Sequence, residues 1–289
     1  MTVWILLLVL VMLFWGGSFI AIKHVVRFVT PLELVPLRFL PVALAFGLWL
    51  ALKHRSTCVA MIRADWWRLM VIGLTGAVLY NIFLGWGETR VPAGTASLII
   101  SLNPAFIYTL SVLVLREQLV WRRISGMALA FCGLFIIIRF GSGRAVTLND
   151  VTYALITVMA PVMWAIYTVS GKALVRRQPP LLVTAVSMVF AGLFSLMFLN
   201  PPLLAGMRAF PLSLWWSVLF LSFPCTVFGF AVWFGALKQM PAGRVAGFVY
   251  LVPLFGVLLS RLVLNEPISL YLAVGALVLI GGVWLVSRR

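Results

Sequence analysis

The chain has 289 residues, 64% hydrophobic and 10% charged, with a formal net charge of +16. A soluble domain carries about 25% charged residues, so this sequence lacks the polar surface that a fold in water needs, and lipid is the alternative solvent. Apolar stretches of about 20 residues recur without strand-like alternation, which points to membrane-spanning helices and away from a β-barrel.

The expected architecture is an all-α polytopic membrane protein with ten transmembrane helices. The spans are expected near 3–22, 32–52, 67–87, 93–115, 121–139, 151–171, 180–199, 212–236, 241–263 and 268–286. The first has neither a basic leader nor a small-residue cleavage site and is read as a retained span. It holds Trp15-Gly16-Gly17-Ser18 and ends at Lys23-His24. The second carries Glu33, Pro36, Arg38 and Pro41, and the third Tyr80, Asn81 and Trp86 before Glu88-Thr89-Arg90. Basic residues fall in the short gaps between apolar runs, as in membrane proteins, and no arginine–aromatic groove suggests nucleic acid. Cys58, Cys132 and Cys225 have no metal or redox spacing.

The fourth span opens a stretch, Pro92–Glu117, that returns at Pro241–Glu266. Pro92, Ala93, Gly94, Pro104 and Glu117 each have an identical residue 149 positions on: Pro241, Ala242, Gly243, Pro253 and Glu266. Trp15 and Trp164, Lys23 and Lys172, Gly126 and Gly275, and Gly133 and Gly282 keep the same offset. Repeated prolines and glycines at one register do not follow from composition, so the chain reads as a repeat. The expected units are residues 1–139 and 151–289, joined by a polar linker at 140–150. Five spans per unit is an odd number, so the second copy must lie inverted in the membrane. Inverted repeats are a transporter architecture with the solute site between the halves. Basic residues are denser in the even-numbered loops and at the C-terminus, which places both termini in the cytoplasm.

The order and duplication of these motifs resemble the drug/metabolite transporter superfamily, EamA type. Trp15, Gly16, Phe19 and Lys23 meet its first-span pattern, and Pro31, Arg38 and Phe39 its second. The resemblance covers essentially the whole chain. Two departures are Asn265, where the family commonly has Gly before Glu266, and Arg116 before Glu117. The resemblance implies export of amino acids or related small metabolites across the cytoplasmic (inner) membrane, through a cavity built by both halves. A multidrug or other small-metabolite carrier of the same fold is the alternative. An integral-membrane enzyme is not expected: the two histidines and six acids form no catalytic pattern. ATP-driven transport is not expected either, since no phosphate-binding loop occurs, and no cofactor is implied. Proton coupling stays open because no deep carboxylate stands out.

The candidate solute-binding residues are Trp15, Ser18, Arg38, Tyr80, Asn81, Asn103, Trp164, Tyr167 and Tyr250. Flat faces with polar tips suit an amphipathic solute, while belt positions are the plainer reading of such aromatics. Asn81 and Asn103 face either the cavity or a neighbouring helix, and the Ser18 hydroxyl can bond its own helix instead. Arg38 either snorkels to an interface or faces an aqueous cavity, where it would favour a carboxylate. Lys23 is expected to snorkel. Pro104 and Pro253 are the expected helix kinks, shaping either the cavity or the packing. Pro92 and Pro241 are expected helix starts, and Glu117 and Glu266 expected anchors at span ends.

Overall fold

The computed structural model describes residues 2–115, 120–140, 148–239, 245, 248–265 and 268–287, and these contain no strand. Glu117, Glu266, Arg116, Pro241-Ala242-Gly243 and most of the expected linker lie outside the described residues, as does the side chain of Tyr250.

The first helices are α1 Thr2–Val25, α2 Pro31–Lys53, α3 Arg55–Gly73, α4 Tyr80–Glu88, α5 Ala93–Ile100, α6 Asn103–Leu115 and α7 Trp121–Phe140. They are followed by α8 Leu148–Val175, α9 Pro180–Ser195, α10 Pro201–Gly206, α11 Leu212–Phe220, α12 Gly229–Gln239, α13 Leu251–Leu264 and α14 Leu270–Ser287. Seven helical segments among the described residues are long and apolar enough to cross a bilayer, and Leu251–Leu264 and Leu270–Gly282 are shorter apolar helices. The chain is thus a multi-pass membrane protein.

Helix α2 shows how sequence sets these elements. Thr30 caps it: the Thr30 hydroxyl accepts from the Glu33 amide, and Glu33 Oε2 accepts from the Thr30 amide at 2.8 Å. Pro31 occupies the first turn, where a missing N–H costs little. Leu44, Leu48 and Leu52, four residues apart, are 73%, 64% and 74% exposed, while Arg38, Phe39, Val42, Phe46 and Leu50 are buried. An exposed leucine stripe opposite a packed face suits lipid, not water.

Two spans are loosened at matching places. A π-helical stretch, Leu74–Leu79, joins α3 to α4, and another, Leu221–Phe228, joins α11 to α12. Pro224 lies inside the second and removes one amide donor. Side chains satisfy the carbonyls of these loosened turns, as lipid requires. Thr226 Oγ1 donates to Leu221 O at 2.8 Å, Trp15 Nε1 to Cys225 O at 2.9 Å, and Asn81 Nδ2 to Ala77 O at 2.6 Å.

The expected kinks at Pro104 and Pro253 take a different form. The helix breaks outright between α5 and α6 at Ser101–Leu102, and Pro104 stands in the first turn of the new segment. Likewise Pro253 follows a 3₁₀ turn, Phe248–Tyr250, in the first turn of α13. Proline starts each second segment, where no internal bond is lost, instead of bending a continuous helix. Pro92 precedes α5 as its N-terminal cap residue. Asn265 closes α13 with φ 54°, the left-handed conformation that glycine or asparagine supplies at helix ends. Asparagine therefore fills the role of the glycine common in the resembling family.

Packing brings α2 against α9, α7 against α14, α1 against α13, α5 and α6 against α8, α4 against α8, and α1 against the Leu212–Gln239 segment. Glycines set the closest approach. A Cβ on Gly133 would strike the backbone of Leu279 and Gly275, and one on Gly282 the backbone of Ala130 and Gly126. The Lys23 ammonium donates to Glu88 O at 2.6 Å and Val91 O at 2.8 Å, holding the carbonyl end of α4.

Candidate functional site

A cavity lies among α1, α2, α4, α8, α12 and the broken ends of α5–α6 and α13. Trp15, Ser18, Arg38, Tyr80, Asn81, Asn103 and Trp164 all line it. Tyr167 does not: it is buried behind Trp164, its ring centroid 4.7 Å from Trp164 and stacked on Phe234 at 5.0 Å. Gly76 makes room for the Tyr167 ring, since any Cβ there would overlap it.

The wall is aromatic. Trp164 meets Trp15 at 5.3 Å and 83°, Phe230 at 5.5 Å and 83°, Tyr80 at 5.4 Å, and Trp233 at 5.7 Å. Edge-to-face pairs of this kind stabilise beyond the area they bury. Gly229 admits the Trp15 indole, whose Nε1 would stand 2.7 Å from a Cβ placed there. Trp164 Nε1 and Asn103 Oδ1 are buried and have no hydrogen-bond partner among the described residues. Ser18 Oγ donates to Trp15 O at 2.7 Å, so its hydroxyl serves its own helix while lining the cavity.

Arg38 is 5% exposed, far too enclosed for the snorkelling reading. Its Nε donates to Thr226 Oγ1 at 3.0 Å and its Nη1 to Asn81 Oδ1 at 2.7 Å. Its backbone carbonyl accepts from Ser222 Oγ at 2.9 Å. Glu33 is not its counter-ion; that carboxylate caps α2 and accepts from Asn200 Nδ2 at 3.0 Å. Among the described residues these side-chain partners are neutral, and an arginine guanidinium is always charged. The arrangement suits reversible binding of a small solute. Among the described residues no group of His, Cys, Asp and Glu could hold a metal.

Phe230 and Thr226 escaped the sequence reading. Phe230 was legible through the repeat, standing 149 residues after Asn81. Three further lining pairs share that offset: Trp15 with Trp164, Ile100 with Val249, and Asn103 with Val252. Thr226 gave only a weak signal, its nearness to Pro224.

Comparison with known proteins fits this geometry. The EamA-like transporter family matches residues 2–139 and again residues 151–288. An "Uncharacterized transporter" of Archaeoglobus fulgidus is 31% identical, over 99% of both chains. A "Probable terminal-alkyne amino-acid exporter" of Streptantibioticus cattleyicolor is 33% identical over 76% of this chain and 73% of its own. One solved crystal structure superposes with a TM-score of 0.66 over 98% of this chain and 96% of its own; at 20% identity this likeness shows the fold alone. The chain belongs to the EamA-like transporter family.

Proposed function

We propose that this transporter carries amino acids or related small amphipathic metabolites outward across the cytoplasmic membrane by alternating access. The observation that carries the reading is the cavity itself, lined by four pairs of residues 149 positions apart, Trp15 with Trp164 among them, and by the buried Arg38. Ten spans arranged as two inverted repeats, residues 1–139 and 151–289, are part of the proposal. The packing supports it: contacts recur with the halves exchanged, so that α1 on α13 answers α8 on α5 and α6, and α8 on α4 answers α1 on Leu212–Gln239. The matched π-helical stretches support it too. Pro104 and Pro253 are the proposed helix breaks that shape the cavity. Rocking of one half against the other would open the cavity to each side in turn. The outward direction follows the resemblance and the exporter among its relatives.

Uptake of labelled amino acids and a broad metabolite panel into proteoliposomes, with and without a pH gradient, tests the function. Movement above empty liposomes is expected for at least one solute, and none across the whole panel would refute it. Stimulation by the gradient would assign proton coupling. The excess of basic residues in the even loops and at the C-terminus supports a cytoplasmic side for both termini. A reporter active only outside the cytoplasm should stay silent when fused after Arg289, and activity there would reverse the orientation.

A further inference from the structure

We infer that the cavity selects amphipathic monocarboxylates, net anions, over zwitterionic amino acids and over neutral molecules of the same shape. This rests on the reading of the cavity as the solute site. Among the described residues that line it, Arg38 alone is ionised. No carboxylate lies within ion-pair distance of Arg38 among the described residues. A guanidinium offers five N–H donors. Thr226 Oγ1 and Asn81 Oδ1 take two of them, and both side chains are themselves anchored, Thr226 Oγ1 donating to Leu221 O and Asn81 Nδ2 to Ala77 O. The cation is thus fixed in place with three donors left over among the described residues, beside a wall of indole and phenyl rings. Burial makes an unneutralised cation costly, and a carboxylate ion that reaches it gains charge-assisted hydrogen bonds in a low dielectric.

An ammonium group fares differently there. It brings a second positive charge into a cavity whose fixed charge is already positive. Its neutral acceptors would be few, chiefly Asn103 Oδ1, with aromatic faces beside it. A neutral amide forgoes the ionic attraction altogether. The order of preference is therefore acid first, then zwitterion and amide. Arg38 also bridges the proposed halves, joining Asn81 before the linker to Thr226 after it, so a bound carboxylate engages a group tied to both.

The test is equilibrium binding to the full chain in lipid nanodiscs, read by tryptophan fluorescence, since Trp15 and Trp164 line the cavity. The probes are 3-phenylpropionate, 3-phenylpropionamide and L-phenylalanine at neutral pH. The acid is expected to bind at least about tenfold more tightly than either of the others, the scale of hydrogen bonds to a charged group. Arg38→Gln is expected to erase the difference between acid and amide, with acid affinity falling at least about tenfold. Equal affinities for acid and amide, or tighter binding of L-phenylalanine than of the acid, would overturn the inference while keeping the cavity as the solute site. Silence from all three probes would overturn the inference too, and transport of other solutes in proteoliposomes would then still uphold the transporter reading. Should Arg38→Gln fail to fold, the wild-type ratio of acid to amide decides alone.

Discussion

Trp164→Ala should abolish solute binding and destabilise the solubilised protein by about 3–5 kcal/mol, the usual cost of deleting a large buried aromatic. Trp164 is 3% exposed and touches Trp15, Tyr80, Tyr167, Phe230 and Trp233. Its removal leaves a hole in the wall of the cavity and takes a packing partner from all five rings. The effects on fold and on binding can be separated. Trp164→Phe keeps an aromatic face but lacks the indole N–H, which has no partner among the described residues. It should retain most of the stability and lose affinity only for solutes that accept from Nε1. Thermal unfolding and binding, measured on both variants, check the two claims. Full binding by Trp164→Ala would remove Trp164 from the site.

A second large effect is expected far from the cavity. Gly133→Leu or Gly282→Leu should prevent recovery of folded, monodisperse protein. In each case the new side chain would collide with the backbone of the facing helix, Leu279 or Ala130, not with a side chain that can turn away. Overpacking at mobile side chains costs about 1–3 kcal/mol; forcing two backbones apart exceeds that, because close contact of small residues is what joins helices in lipid. Gly281 provides the control. It neighbours Gly282 on α14, yet a Cβ there meets nothing within 4 Å. Gly281→Leu should therefore yield protein with wild-type behaviour on size-exclusion chromatography. Normal yield and profile for Gly282→Leu would contradict the packing of α7 on α14.

Much of this was legible in the sequence because the repeat exposes backbone requirements. Gly126, Gly133, Gly275 and Gly282 recur at one offset, and they are where α7 and α14 touch. Trp15 and Trp164 recur likewise and meet face to edge. The fate of Arg38 was not legible. Sequence places it inside a span near Glu33, but whether it reaches outward or inward depends on Thr226, 188 residues away. The partners of Lys23 were not legible for the same reason: they lie on α4 and the turn after it. The prolines were found, but their effect was not, since a proline in the first turn of a new helix and one bending an old helix look alike in one dimension. Tyr167 shows the limit of reading depth from hydropathy. It sits one turn from Trp164 on α8, yet it packs behind the wall while Trp164 forms it.

In the proposed cycle one cavity opens alternately to the two sides of the membrane, and counterflow in proteoliposomes is the decisive measurement. Vesicles preloaded with an unlabelled solute from the panel are diluted into a trace of the same solute carrying label. Transient accumulation of label above its equilibrium level is expected, driven only by outward flow of the unlabelled solute, with loss of that overshoot in Trp164→Ala. Simple equilibration without an overshoot, as a continuous pore would give, would contradict it.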